Sequence, residues 1–137
     1  MTIEAADAKN REKPRIVLSA EDYKQLSLLA DAARNKAPAL SAELAEEISR
    51  AHVLAEGRHP DQTVCMNSEV EFRDDMTGRT RTVTLVYPQE ADISQRKVSV
   101  LTPVGTALIG LRCGHSITWE TPAGEVRRLT VLAVREP

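Results

Sequence analysis

The spacing of hydrophobic residues in this 137-residue chain changes near Pro60, and this change constrains the fold more than any other feature. Before Pro60, apolar residues recur at steps of three and four, which is the spacing of one helix face. After it, apolar and polar residues alternate in short runs, as they do in half-buried strands. A helical segment followed by a strand-rich segment predicts an α+β protein.

The first segment predicts two helices joined by a short turn. Ser19 is a good N-cap residue, and an apolar stripe follows it over positions 23–33. Pro38 interrupts the first stripe, and a second one occupies positions 40–55. Two neighbouring amphipathic helices with a short connection are expected to form an antiparallel helical hairpin, a short coiled coil.

The second segment predicts an antiparallel sheet with one short helix. Strands are expected over positions 69–73, 79–87, 97–101, 115–121 and 125–134, and the helix over 103–111. We therefore expect a flexible leader over 1–14, the hairpin over 15–59 and the sheet domain over 60–137. Residues 57–63 resemble a linker, so the two parts are expected to share little core. The alternation also predicts that Ile117 and Trp119 face that core.

Composition excludes several classes of protein. The 18 basic and 20 acidic residues give a net charge of −2, without the basic excess that nucleic-acid binding usually needs. Aromatic residues make up only 3% of the chain, too few for a base-stacking surface. No apolar run approaches the ~20 residues of a membrane span. Together with two isolated cysteines, Cys65 and Cys113, this predicts a cytoplasmic protein with reduced thiols.

The sequence carries no catalytic or cofactor-binding motif, so no catalytic residue, cofactor or metal site is expected. Phosphate-binding loops and a nucleophile elbow are absent from the sequence. His52 and Glu56 would share a helix face, but no further ligand has suitable spacing. An exposed helix face is the expected role of the acids at 43, 46 and 47. The arginines at 79, 81, 127 and 128 are either solvated strand edges or a small interaction patch.

Three stretches carry a family resemblance. They are residues 64–73 (VCMNSEVEFR), 85–88 (LVYP) and 101–111 (LTPVGTALIGL). The first two resemble the globular domain of the Rnk-like family, the regulators of nucleoside diphosphate kinase. The third resembles the signature in the carboxy-terminal domain of the bacterial Gre transcript-cleavage factors. His115 departs from the pattern, since the family usually has an acid there.

The resemblance implies a function and a contact segment. It implies an FKBP-like fold for the sheet domain and binding to RNA polymerase at the rim of the secondary channel. The implied contact runs through Leu101, Thr102, Pro103 and Val104. The family's kinase-related name does not indicate kinase activity.

The expected hairpin tip argues against catalysis. Gre factors place acidic residues at the tip of a long hairpin, where they help to hold a catalytic magnesium ion. Here the first helix, expected over positions 20–35, would be only about 24 Å long. The tip residues Asn35, Lys36, Ala37 and Pro38 include no carboxylate. We therefore expect a non-enzymatic regulator that competes with Gre-type factors for polymerase and does not stimulate transcript cleavage.

Two other functions remain open at this stage. An FKBP-like domain could be a peptidyl-prolyl isomerase, although Phe72, Tyr87 and Trp119 are few aromatics for a proline pocket. Alternatively, the hairpin could make the protein an adaptor that binds another helix. The sequence does not indicate the oligomeric state.

Overall fold

A computed structural model describes residues 14–121 and 123–137. Within those residues the chain forms seven strands, three helices and two short 3-10 turns. The elements are β1 (Val17–Leu18), α1 (Ala20–Ala32), α2 (Pro38–Ser49), β2 (His52–Val53), β3 (Glu69–Asp74), β4 (Thr80–Val86), the turns Pro88–Glu90 and Ile93–Gln95, β5 (Lys97–Ser99), α3 (Pro103–Leu108), β6 (Ser116–Glu120) and β7 (Val126–Arg135). The expected leader lies outside the described residues, except for Pro14.

The start of α1 follows the sequence prediction. Ser19 has extended backbone, and its hydroxyl accepts a hydrogen bond from the Asp22 N–H at 3.1 Å. This satisfies one of the backbone donors left free in the first helical turn. The helix ends at Ala32, so at ~1.5 Å per residue it is about 20 Å long, shorter than expected.

The second helix also ends early, and the expectation that it continues to position 55 is wrong. The chain leaves α2 after Ser49 and forms β2, which pairs in parallel with β1. The His52 N–H donates to the carbonyl of Ile16 at 2.8 Å. Strand pairing with a distant segment therefore replaces the last turn of the helix, an interaction that helical periodicity does not reveal.

The main sheet has five strands in the order β5-β4-β3-β7-β6. The expectation of a purely antiparallel sheet is wrong, because β5 pairs in parallel with β4. Asp92 forms an antiparallel bridge with Lys97, so the chain has already reversed once before β5 begins. A second reversal within the 3-10 turns then brings β5 into the same direction as β4. The sheet is mixed, and a bulge between Glu71 and Phe72 bends its centre.

The helices and the sheet share one hydrophobic core, so the expectation of two weakly connected parts is wrong. Ile16, Leu26 and Leu44 belong to the same buried cluster as Val70 and Leu85. Within the expected linker, Pro60 and Thr63 are buried. This stretch is polar in composition, but its backbone pairs with a distant segment: Thr63 forms an antiparallel bridge with Arg112, and the carbonyl of Gln62 accepts from the Cys113 N–H at 2.7 Å.

The two residues expected to face the core from β6 differ in burial. Ile117 is buried, as predicted. Trp119 is only partly buried and packs against the edge of the core. It lies near the end of β6, the outermost strand on its side of the sheet, which pairs with β7 only.

Across the described residues, the structure contains no helix with the length and apolar character needed to cross a membrane.

Candidate functional site

The segment that the family resemblance singled out forms a capped turn at the start of α3. The hydroxyl of Thr102 accepts from the Gly105 N–H at 3.0 Å and donates to the carbonyl of Ser99 at 2.7 Å. The hydroxyl of Ser99 in turn accepts from the Leu101 N–H at 3.0 Å. Pro103 occupies the first turn of α3, where a backbone N–H has no partner within the helix, so the missing N–H of proline costs no hydrogen bond. These bonds hold the corner in one conformation.

Gly105 allows this corner to pack closely against the end of β5. A Cβ atom at position 105 would collide with the carbonyl oxygen of Ser99 and lie 2.7 Å from the Cα of Val100. The hydroxyl of Thr106 adds a bond to the carbonyl of Val100 at 2.8 Å. The backbone therefore approaches the strand at a distance that only glycine permits.

The corner presents a small, mixed surface to solvent. Pro103 is exposed, whereas Leu101, Thr102 and Val104 are half-buried. Thr102, Pro103 and Val104 also line one end of a groove of about 770 Å³ that continues along β4 and β5. A rigid corner with an exposed proline and an adjacent groove is suited to contact another protein.

The connection between α1 and α2 places the second set of residues singled out from the sequence. Asn35 and Lys36 are exposed, Ala37 is half-buried, and Pro38 begins α2. The Ala37 N–H donates to the carbonyl of Ala33 at 2.9 Å, so the turn continues directly from the first helix.

The acid nearest the tip is already paired. Asp31 lies 3.7 Å from the guanidinium of Arg34, and both side chains are about three-quarters exposed. Residues 34–38 themselves include no carboxylate. This turn offers no side-chain set of the kind that magnesium requires.

Two of the four arginines considered as an interaction patch form ion pairs within the protein. Arg127 lies 3.3 Å from Asp74, and Arg128 lies 2.8 Å from Asp75. Arg81 stacks over the ring of Phe72, with 6.0 Å between its guanidinium carbon and the ring centre. The two paired cations are therefore partly neutralised by Asp74 at the end of β3 and by Asp75 in the turn that follows.

Asp75 is the centre of that ion-pair network. Its carboxylate accepts from the Thr130 hydroxyl at 2.6 Å, from Arg73 at 2.7 Å and from Arg128 at 2.8 Å. Burial by itself would raise the pKa of Asp75, but the bonds from Thr130 and Arg73 and the charges of Arg73 and Arg128 outweigh it. The pKa of Asp75 is consequently lower than usual, and the carboxylate stays ionised.

Asp22 connects the first helix to the sheet, a role that sequence reasoning missed. Its carboxylate accepts from the Met66 N–H at 3.1 Å, across 44 positions of sequence. Burial raises the pKa of Asp22, and the hydrogen bond from Met66 offsets only part of that effect. Asp22 lies in the first turn of α1, three residues after the N-cap Ser19, and this position by itself accounts for an acidic residue. The sequence therefore contained no signal for the long-range contact.

Both cysteines are free and half-buried. Burial and the nearby charge of Asp22 raise the pKa of Cys65 to about 11. Its thiol is therefore protonated at neutral pH and a poor nucleophile. The hydroxyl of Tyr87 also has a raised pKa, because of burial first and then the charges of Asp22 and Glu21.

Two side-chain groups differ from their expected placement. His52 lies in β2, while Glu56 follows in a turn, so they do not share a helix face. Glu47 is buried rather than solvated and pairs with Arg50. Arg50 also donates to the carbonyl of Pro14 at 2.7 Å, which fixes the start of the described chain against α2.

Comparison with known proteins identifies the family. Residues 59–136 match the model for the C-terminal domain of the transcription elongation factors GreA and GreB, and residues 14–54 match the Rnk N-terminus model. The chain belongs to the Rnk family. This Rnk-family chain is 37% identical to the regulator of nucleoside diphosphate kinase from Escherichia coli K12 over 120 residues, or 88% of each protein.

Further relatives of this Rnk-family chain are transcription factors. The transcription inhibitor protein Gfh1 of Thermus thermophilus is 32% identical over 121 residues, covering 85% of this chain and 74% of Gfh1. A GreA/GreB elongation factor from Nitrosomonas europaea has a similar solved structure, with a TM-score of 0.69 and 36% identity. That match covers 89% of this chain and 100% of the other. The Rnk-family chain thus has a GreA/GreB-like α+β fold and is similar to regulators of transcription.

Proposed function

We propose that this protein binds RNA polymerase at the rim of the secondary channel and competes there with Gre-type factors, without stimulating transcript cleavage. Its relatives are named as a transcription inhibitor and as elongation factors, which supports a role at the polymerase. The observation that carries the docking site is the rigid corner at Thr102 and Pro103, which is exposed next to a groove. We assign the contact to Leu101, Thr102, Pro103 and Val104.

The non-catalytic part of the proposal rests on the connection between the helices. α1 is about 20 Å long, and residues 34–38 carry no carboxylate that could help to hold a metal ion. A protein that docks at the rim with such a tip would occupy the docking site of Gre-type factors. It would not supply the acidic tip residues that the cleavage reaction needs. The proposed outcome is inhibition of Gre-type factors by occupancy.

The proposal also includes the finer architecture that the resemblance implied. We infer that α1 and α2 form a short antiparallel coiled-coil hairpin within an N-terminal part over residues 15–59, and that residues 60–137 form an FKBP-like domain. The hydroxyl of Ser41 donates to the carbonyl of Ala30 at 2.6 Å, which supports close packing of the two helices. The hairpin and the domain would act as one unit, because they share their core.

A binding experiment with two matched proline variants tests the docking site. Pro103 and Pro38 are both exposed prolines in the first turn of a helix, so replacing either by alanine removes the same ring from the same local setting. We expect Pro103→Ala to weaken binding to purified RNA polymerase and Pro38→Ala to leave it unchanged. Equal loss in both variants, or no loss in either, would contradict the assigned contact.

A second pair of variants separates the contact from the stability of the corner. Thr102→Ala removes the N-cap of α3, at a typical cost of about 1 kcal/mol, whereas Thr102→Ser keeps the capping oxygen. We expect the wild type to bind polymerase most tightly, Thr102→Ser less tightly and Thr102→Ala least tightly. Thermal unfolding of each variant shows how much of any loss reflects the fold.

Transcript cleavage is tested in backtracked elongation complexes. The wild-type protein should produce no cleaved RNA by itself and should reduce cleavage by a Gre factor as its concentration rises. Cleavage by the wild-type protein alone would refute the argument from the tip. Inhibition that does not depend on the Gre-factor concentration would refute competition.

A further inference from the structure

The first half of β4 has an open edge. β4 runs from Thr80 to Val86, but β5 pairs only with its last three residues, Thr84 to Val86. Among the described strands, residues 80–83 therefore have a partner on one side only, which is β3. An unpaired strand edge presents a row of backbone donors and acceptors that another strand can bind.

The alternation of hydrogen bonds shows which residues face that edge. Leu85 N–H donates to Ser68 and Asp74 N–H donates to Arg79, so odd-numbered residues of this strand bond towards β3. The even-numbered Thr84 points the other way, since its N–H donates to Arg96 at 2.8 Å on the side of β5. By the same alternation, the backbone N–H and C=O groups of Thr80 and Thr82 are directed towards the open edge.

This edge forms one wall of the groove of about 770 Å³ that ends at the Thr102 corner. Besides Pro103, five apolar side chains line the groove, namely Val83, Ala91, Ile93, Val98 and Val104. Ile93 is 90% exposed. Covering a large aliphatic side chain that is exposed to this degree is favourable, because it removes apolar surface from water.

The charges along the groove all have one sign. Its ionisable lining residues are Arg81, Arg96 and Lys97, and no carboxylate from the described part of the chain lines it. Lys97 also acts electrostatically on Asp92 outside the groove, whose oxygen is already bonded by the Ser94 N–H and hydroxyl. A partner that carries carboxylates would complement this surface.

We propose that the open edge of β4 binds an extended, acidic segment of a partner protein as an added strand. The backbone of that segment would pair with Thr80 and Thr82, and its carboxylates would lie near Arg96 and Lys97. Alternate aliphatic side chains would cover Ile93 and Val104, as in other cases of strand addition. The paired backbone donors and acceptors favour a peptide over a nucleic acid, which would use the cations alone.

The inference goes beyond the polymerase contact, because it names a backbone edge and an acidic, extended occupant. Both surfaces include Thr102, Pro103 and Val104, so a bound segment would also cover part of the proposed docking corner. The test below contains no polymerase. Its failure would leave the docking proposal intact, and failure of docking would leave the open edge available.

The test uses three short capped peptides and the full-length protein. In the first peptide glutamate and valine alternate, in the second lysine replaces glutamate, and the third is the first peptide with alternate backbone nitrogens methylated. We expect only the first to slow hydrogen exchange at the amides of Thr80 and Thr82, by about tenfold or more at saturation. Equal binding of the methylated peptide, protection elsewhere, or no binding at millimolar concentration would overturn the proposal.

Charge variants provide a second measurement that leaves the residues of β4 unchanged. Arg96→Glu with Lys97→Glu should weaken the acidic peptide by about tenfold or more, whereas Arg58→Glu, at an exposed position outside the groove, should not. Unchanged affinity in the double variant would contradict the assigned charges. Stronger protection of Thr80 and Thr82 by a single-stranded oligonucleotide than by the acidic peptide would contradict the peptide as occupant.

Discussion

The backbone of Gly110 packs so closely against the side chain of Ile16 that position 110 has no room for a Cβ atom. A Cβ atom on Gly110 would lie 2.6 Å from the Cβ of Ile16, and the backbone at Gly110 has a φ of +79°. The same residue donates its N–H to Val64 at 2.9 Å and accepts from Val17 at 3.2 Å. Here the first strand, the end of α3 and the start of the sheet segment meet.

Replacing Gly110 by alanine should destabilise the protein more than the same change at Gly114. Both glycines have positive φ, which costs a side chain about 1–2 kcal/mol, but a Cβ on Gly114 meets nothing within 4 Å. At Gly110 the collision with Ile16 should add about 1–3 kcal/mol. Urea unfolding of the two variants measures the difference, and equal losses would show that Ile16 moves aside freely.

Asp22 provides a prediction about charge and hydrogen bonding. Asp22→Ala leaves the buried N–H of Met66 without its acceptor, at a cost of about 1–3 kcal/mol. Asp22→Asn keeps an oxygen for that bond and removes a buried charge, so its stability at pH 7 should be within about 1 kcal/mol of wild type. Losses of equal size in chemical denaturation would contradict this.

The pH dependence of Asp22 has a definite sign. Burial raises its pKa above the unfolded value, so the folded state binds the proton more tightly than the unfolded chain. The contribution of Asp22 to folding therefore becomes more favourable as pH falls through the folded pKa. Asp22→Asn should remove this contribution, and unfolding free energies measured across that range compare the two proteins.

Asp75 should act in the opposite direction. Its pKa in the folded protein is lower than usual, so its stabilising contribution is present above the unfolded pKa and is lost as pH falls through the folded value. Asp75→Asn should cost about 2 kcal/mol at pH 7, typical of hydrogen bonds to a charged group, and less in acid. Asp31→Asn is the control, because its ion pair is exposed and should contribute little. A loss at Asp75 that is independent of pH would contradict the assignment.

The shared core predicts that the sheet segment does not fold well without the helices. A fragment of residues 60–137 would lack Ile16, Leu26 and Leu44, which are fully or almost fully buried in the whole chain. Exposing their sheet-side partners should give a fragment that binds hydrophobic dyes and has poor dispersion in proton–nitrogen NMR spectra. A well-dispersed spectrum and cooperative unfolding of the fragment would contradict a single core.

The sequence by itself determined the local elements and the family. Ser19 and Thr102 are capping residues with bonds to the third residue on, and both helix starts lie where those local preferences put them. The five strands of the main sheet follow the alternation of apolar residues, since a strand with one buried face requires it. The motif at 101–111 indicated the candidate corner through its family resemblance, and the structure adds the capping bond of Thr102 and the close packing of Gly105.

Only the tertiary structure decided how these elements combine. The β1–β2 pair, the parallel direction of β5 and the bond from Met66 to Asp22 each join residues that are far apart in sequence or separated by turns. Local periodicity contains no information on which distant edge will pair, because that choice depends on the packing of the whole core. For the same reason the open edge of β4 is visible only in the fold: it exists because β5 is short, while β4 continues beyond it.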